Sequence, residues 1–327
     1  MKGKVQSWQN VLSQMIHKPK DKTVSILYPS SRTKLASHVA EAAQLIGLRT
    51  IKFEVNPHLE MEESPEYLSS ILDNLDEEDF LVVIRGDDFI RRLKLNNHFN
   101  TYSGLINGRA NSIVLHMLID DNNLTYLCDV DYDELNEYTL KLQSKIKKSQ
   151  HIRIITPNGT DLSFYPREWN IVPIKPDKIV KNALLPGGQL YTAPIESKTN
   201  GTIVVDRCIS EFPIDFKEII SFPKIENKIE ITIENGRITG IMGKDEANFL
   251  KNNCLSRTDS NGWVLGEVTF GTNPKKRSNM SNAIQEILRD TVHFGFGLNT
   301  HLGGDIVSNV HWDAVIEFDI NNLEFRK

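Results

Sequence analysis

At 327 residues with a net charge of -5, the chain carries 39% hydrophobic and 25% charged residues, an ordinary globular composition with room for two domains and a sizeable core. The acidic balance argues against nucleic acid or an anionic membrane as the partner, since both call for a basic surface. No apolar run approaches the roughly 20 residues of a membrane span, and the start, Met1-Lys-Gly-Lys, has no signal-peptide stretch. Cys128, Cys208 and Cys254 are odd in number, far apart and outside any ligand spacing, so reduced thiols in a cytoplasmic protein are expected.

The first half alternates strands and helices. Residues 23–28 form a buried-strand pattern, broken by Pro29-Ser30-Ser31-Arg32. A helix is predicted over 33–48, with Leu35, Val39, Ala42, Ala43 and Ile46 on one face and Gly47 near its end. The next strand is 51–55, and this strand-helix-strand order predicts a right-handed parallel crossover. A helix over 66–75, strands over 79–84 and 111–116, and an amphipathic helix over 132–148 follow. The Ser31 turn lacks the glycines of a phosphate loop, so no nucleotide is expected there. Residues 1–149 are thus expected to form a parallel-sheet α/β domain.

From residue 150 the pattern changes to hairpins. Strands over 151–156 and 160–164 flank a turn at Pro157-Asn158-Gly159. Residues 228–234 alternate, turn at Asn235-Gly236 and resume over 237–242; Asn-Gly between alternating strands is the strongest short hairpin signal. Helices over 245–253 and 279–289 and a last strand over 310–318 complete the expected α+β metal-binding domain, 150–327.

Metal-binding residue types gather in this second part. In the last strand His311, Asp313 and Val315 point one way, and Trp312, Ala314 and Ile316 the other. His293 sits in a glycine-rich stretch, Val292-His-Phe-Gly-Phe-Gly-Leu, where a backbone can approach a ligand closely. Two imidazoles and a carboxylate can take one face of a divalent metal and leave positions open for substrate. That set suits Fe(II) oxygenases and, with further carboxylates, Zn, Co or Mn. Glu267 stands alone in an apolar strand, which is costly unless the carboxylate is paired or bound to a metal.

Leu184-Leu-Pro-Gly-Gly, Tyr191-Thr-Ala-Pro194, Leu265-Gly-Glu267, Val292-His293 and His311-x-Asp313, in this order, resemble the metallo-aminopeptidase family of aminopeptidase T and aminopeptidase S. They resemble more closely its shorter relatives, the 2,5-dihydroxypyridine 5,6-dioxygenase-like proteins, which Gly159-Thr-Asp-Leu162, Gly271-Thr-Asn-Pro274 and the chain length also fit. The resemblance covers residues 150–327, and the first half matches in layout only. The family's aminopeptidases hold two metals. Glu267, His293, His311 and Asp313 match their ligands, but Gln189 stands where a Glu is expected, and the tyrosine after the histidine is missing. Two adjacent cations need bridging anions, so a single divalent metal on His293, His311 and Asp313 is expected, and the resemblance to the dioxygenases implies that it is Fe(II).

The resemblance then implies a ring-cleaving dioxygenase or related oxidative enzyme acting on a small hydroxylated (hetero)aromatic or metabolite. Gln189, Tyr191 and Thr192 would bind the substrate, His116 and His301 are candidate bases, and Glu267 would orient a ligated imidazole or water. The alternative is a metal-dependent aminopeptidase that uses Zn, Co or Mn to release N-terminal residues from short peptides. In either case the resemblance implies at least a homodimer.

Overall fold

The computed structural model describes residues 3–16, 22–55, 79–85, 111–115, 119–176, 181–210, 212–214, 218–276 and 282–326. The chain divides into two compact units, Met1–Glu134 with Val172–Gly187, and Leu135–Ile171 with Gly188–Lys327.

The first unit is built on a parallel sheet. Its strands β1 (Thr23–Pro29), β2 (Arg49–Val55), β3 (Phe80–Ile84), β4 (Asn111–Leu115) and β8 (Asn182–Leu185) lie in the order β2-β1-β3-β4-β8. Every residue of β1 and of β3 is buried, as a parallel strand covered on both faces requires. Helix α2 (Thr33–Leu45) joins β1 to β2 and buries the expected stripe of Leu35, Val39, Ala42 and Ala43. Helix α1 (Lys4–Met15) packs on α2 and buries Trp8, Val11, Leu12 and Met15. The indole of Trp8 donates to Thr125 Oγ1 at 3.2 Å on helix α3 (Asp121–Cys128), which Asp120 caps. The helix expected over 66–75 and the base candidate His116 lie outside the described residues.

The second unit holds two six-stranded sheets. One has the order β15-β14-β10-β6-β5-β19, from strands β5 (His151–Ile155), β6 (Asp161–Phe164), β10 (Asn200–Val205), β14 (Ile229–Glu234), β15 (Arg237–Met242) and β19 (Leu323–Arg326). The other has the order β11-β18-β17-β16-β9-β7, from β7 (Asn170–Ile171), β9 (Gln189–Thr192), β11 (Cys208–Ile209), β16 (Leu265–Gly271), β17 (Thr291–Gly297) and β18 (His311–Glu317). A short pair, β12 (Phe212–Ile214) and β13 (Glu218–Ile220), completes the strands. Apolar residues of the two large sheets form one core, with Ile154, Leu162, Ile203 and Ile231 from the first and Val268, Phe270, Phe294 and Trp312 from the second. The hairpin between β14 and β15 turns where expected: Asn235 and Gly236 both have positive φ, 49° and 77°.

The parallel α/β unit and the mixed second unit match the expected fold class. The units differ from a plain junction at residue 150 in two places. Strand β8 pairs with β4, which returns Val172–Gly187 to the parallel sheet. Helix α4 (Tyr132–Ile146) belongs to the second unit from Leu135 onward, where its Leu142 and Ile146 join the core. The helix expected over 245–253 is α5 (Asp245–Phe249) continued by a wider turn, Leu250–Cys254. The one expected over 279–289 is shorter: α6 (Asn282–Gln285) ends at Gln285, Leu288 forms an isolated bridge with Asn273, and 279–281 lie outside the described residues. All three cysteines are free and buried. No helix among the described residues is long and apolar enough to cross a membrane.

Candidate metal centre

Directly opposed residues of antiparallel strands share a face. Strand register therefore lays out the site. Tyr191 of β9 pairs with Thr269 of β16, Thr269 with His293 of β17, Glu267 with Gly295, and Gly295 with Asp313 of β18. Gly297 pairs with His311. One face of this sheet thus carries Tyr191, Glu267, Thr269, His293, His311 and Asp313. The residues between them, Val268, Phe270, Phe294, Phe296, Trp312 and Ala314, face the core. A bulge at Gly266 turns Leu265 back into that core, so Glu267 is the last polar-face residue of β16.

On this face Glu267, His311 and Asp313 bring one ligand atom each to within 4.8 Å of one another, the one such group of three among the described residues. The Nε2 of His311 lies 3.2 Å from Glu267 Oε2 and 3.4 Å from Asp313 Oδ1. The other Glu267 oxygen, Oε1, accepts from the Thr269 hydroxyl at 2.5 Å and lies 3.2 Å from His293 Nε2. Each imidazole is anchored from behind. His293 Nδ1–H donates to the Glu286 carbonyl at 3.1 Å, and His311 Nδ1–H to the Leu298 carbonyl at 2.7 Å. Both Nε2 atoms are left to face the carboxylates. Such second contacts fix the ring orientation and tautomer of metal-binding histidines.

Three observations test whether these residues fit a cation. Asp313 Oδ1 is buried and accepts no well-formed hydrogen bond, its contact with His311 Nε2 at 3.4 Å being an ion pair, an uncommon state for an acceptor. Gly295 leaves open the space between the acids: a Cβ there would meet Glu267 Cβ at 2.8 Å and Asp313 Oδ1 at 2.9 Å. The donors, one imidazole nitrogen and carboxylate oxygens, are those that divalent first-row metals take. The residues fit a divalent cation.

Charge bears this out. Burial opposes ionisation of Glu267, but hydrogen bonds from His293 and His311 outweigh it and hold the carboxyl well below its usual range. Burial also opposes the charged form of His293, yet its bond to Glu267 and the charges of Asp313, Glu267 and Glu286 raise its pKa to about 9. His311 is raised well above the ordinary value in the same way, chiefly by Asp313.

The expected site residues divide. His311, Asp313, Glu267 and His293 come together, but the compact triad contains Glu267, and His293 lies on the far side of it against Oε1. Tyr191 shares the face and is half-buried; burial and then the charge of Glu267 push its phenol up. Gln189, opposite Gly271, lies further along the same face. Thr192 does not join them. It pairs with Val268, is fully buried on the core side, and donates to the Ala193 carbonyl, because a step of one residue along a strand reverses the face. His301 is exposed on one side, with its ring 5.4 Å from that of His311; burial of the rest and then His311 lower its pKa.

Three residues of the site escaped sequence reasoning. Thr269 was within reach of it, since strand period places it beside Glu267. Ser210 accepts from the Asp313 amide at 3.0 Å and its hydroxyl lies 3.5 Å from Asp313 Oδ2. Glu286 has a carboxyl raised well above normal by burial and by Asp313, and its carbonyl anchors His293. Neither of these last two carries a local signal, because only tertiary folding brings them to the sheet.

A family model, NicX, described as 2,5-dihydroxypyridine 5,6-dioxygenase, matches residues 4–317. No curated protein matches the chain. Among solved structures, the 2,5-dihydroxypyridine dioxygenase of Pseudomonas putida KT2440 superposes with a TM-score of 0.67 at 17% identity, over 96% of this chain and 91% of that one. The wild-type AmpT of Thermus thermophilus superposes with a TM-score of 0.60 at 14% identity, over 97% and 96%. At these identities the two likenesses speak for the fold.

Proposed function

We propose that this chain, which belongs to the NicX family of 2,5-dihydroxypyridine 5,6-dioxygenases, is a mononuclear metal-dependent dioxygenase that opens the ring of a small hydroxylated aromatic or heteroaromatic compound. The observation that carries the reading is the triad Glu267, His311 and Asp313, with an Asp313 oxygen that accepts no well-formed hydrogen bond and the gap at Gly295. These three residues would hold the cation. Fe(II) fits the nitrogen and oxygen donors and the chemistry of the family. When bound, it supplies the redox step that joins a hydroxylated ring to O₂.

The chain's own residues do the rest. Glu267 and Asp313 bring two negative charges, which offset a divalent cation and leave the site near neutrality. His293 and Thr269 hold the Glu267 carboxylate from behind, and Ser210 holds Asp313. Tyr191 and Gln189 line the same sheet face, where a phenol and an amide orient a polar ring by hydrogen bonds. His301, kept neutral by its lowered pKa, accepts the proton of a substrate hydroxyl at its imidazole. Gln189 is a neutral amide, so the face has one carboxylate fewer with which to screen a second cation.

The test is oxygen uptake. Protein reconstituted with Fe(II) under anaerobic conditions is mixed with 2,5-dihydroxypyridine or a catechol in an oxygen electrode. Consumption of O₂ with loss of the ring absorbance is expected. Amine release from an aminoacyl anilide by the Zn, Co or Mn form, with no oxygen uptake, would replace this reading with the hydrolase.

A further inference from the structure

We infer that Thr269 is a positioning residue that decides which oxygen of Glu267 is presented to a cation, an inference that rests on the metal reading above. Thr269 lies between Val268 and Phe270, both of which face the core, so its own side chain points to the site. It is fully buried. A strand residue in such a place is served equally well by valine, and a buried hydroxyl is unfavourable without a partner. The partner is Glu267 Oε1, at 2.5 Å. A hydroxyl donating to a carboxylate forms a short, charge-assisted bond about twice as strong as a neutral one.

His293 reinforces the same choice. Its Nε2 also lies against Oε1, at 3.2 Å, while its Nδ1–H is tied to the Glu286 carbonyl. The Thr269 hydroxyl and the His293 ring are therefore both set against Oε1, and Oε2 is left beside His311 Nε2 and the Asp313 carboxylate. A carboxylate is symmetric and turns readily about its last bond. Without the Thr269 hydroxyl, Oε1 keeps only the longer contact to His293, and the plane of the carboxylate is free to rotate. Removing a hydrogen bond behind a metal ligand typically lowers metal affinity by about 10–100-fold.

Co(II) is the probe, titrated into the metal-free protein and read by its visible absorption, for wild type, T269V, T269S and H311A. The wild type takes up one Co(II) and H311A takes up none. T269V binds about 10–100-fold more weakly, with a shifted visible band, because the ligand oxygen is no longer fixed. T269S keeps the hydroxyl and stays with the wild type in both affinity and spectrum. T269A is read alongside T269V, with thermal unfolding followed for each, so the outcome does not hang on the folding of one variant. Wild-type affinity and spectrum in T269V and T269A would overturn the inference. So would an equal loss in T269S, which would trace the effect to packing of the methyl group. A wild-type protein that takes up no Co(II) would remove the metal reading itself, and the role of Thr269 with it.

Discussion

The two faces of the sheet formed by β9, β16, β17 and β18 are made from alternate residues of the same strands, yet they obey different rules. On the core face Val268, Phe270, Phe294, Phe296 and Trp312 are almost wholly buried, and the Phe296 and Trp312 rings stack 4.4 Å apart. On the other face Glu267, His293, His311 and Asp313 are packed at hydrogen-bond distances, and one acceptor is left over. The first face lowers free energy by removing apolar area from water. The second gathers ionisable groups out of water, which costs free energy unless they are paired with one another or with a cation. The comparison can be broken at either face.

The largest effect is expected from the ligands themselves. H311A and D313A should lose the bound metal and with it all oxygen uptake while remaining folded; either variant retaining a full complement of metal by mass spectrometry would contradict the assignment. The next test sets neighbouring positions of β17 against each other. F296A removes a core ring and should lower stability by about 3–5 kcal/mol in urea unfolding while the folded protein still binds metal. G295A should do the reverse. Its Cβ enters the space between Glu267 and Asp313 and should weaken metal binding by roughly tenfold or more, with the smaller loss of stability. If G295A binds metal like the wild type, the cradle is in the wrong place.

A third prediction concerns pH in the metal-free protein. His293 and His311 have folded pKa values above the ordinary 6.5, His293 at about 9. The stability that they contribute is whole below 6.5 and is lost as pH rises through about 9. Glu267, held low, acts in the opposite sense: its contribution is present above its ordinary 4.5 and is lost only in strong acid. The urea midpoint of chelator-treated protein should therefore fall between pH 6.5 and pH 9.5, and a level profile there would remove the electrostatic account of the site. The smallest structural effect belongs to H301A. It should retain its metal and its melting temperature yet lose about 10²-fold or more in kcat, the contribution of a general base; unchanged kcat would strip His301 of that role.

Much of this was legible in the sequence, and the reason is periodicity. A period of two placed His311 and Asp313 together and Trp312 and Ala314 opposite them, and Asn235-Gly236 announced its hairpin. Helix α1 was missed, although Trp8, Val11, Leu12 and Met15 stand at helical spacing. What could not be read is what depends on which strands become neighbours. That Glu267, not His293, completes the compact triad follows from the order β18-β17-β16 and from the pairing of Gly295 with both acids. Ser210 and Glu286 arrive from segments with no local pattern of their own. The return of β8 to the parallel sheet is a long-range pairing, which no window of sequence contains.

The most direct test is metal content, measured by mass spectrometry on anaerobically purified wild type beside E267A and H293A. The account predicts one divalent metal per chain in the wild type, none in E267A and a weakened but measurable complement in H293A. Full retention in E267A, with loss confined to H293A, would contradict it and give the third ligand position to the histidine.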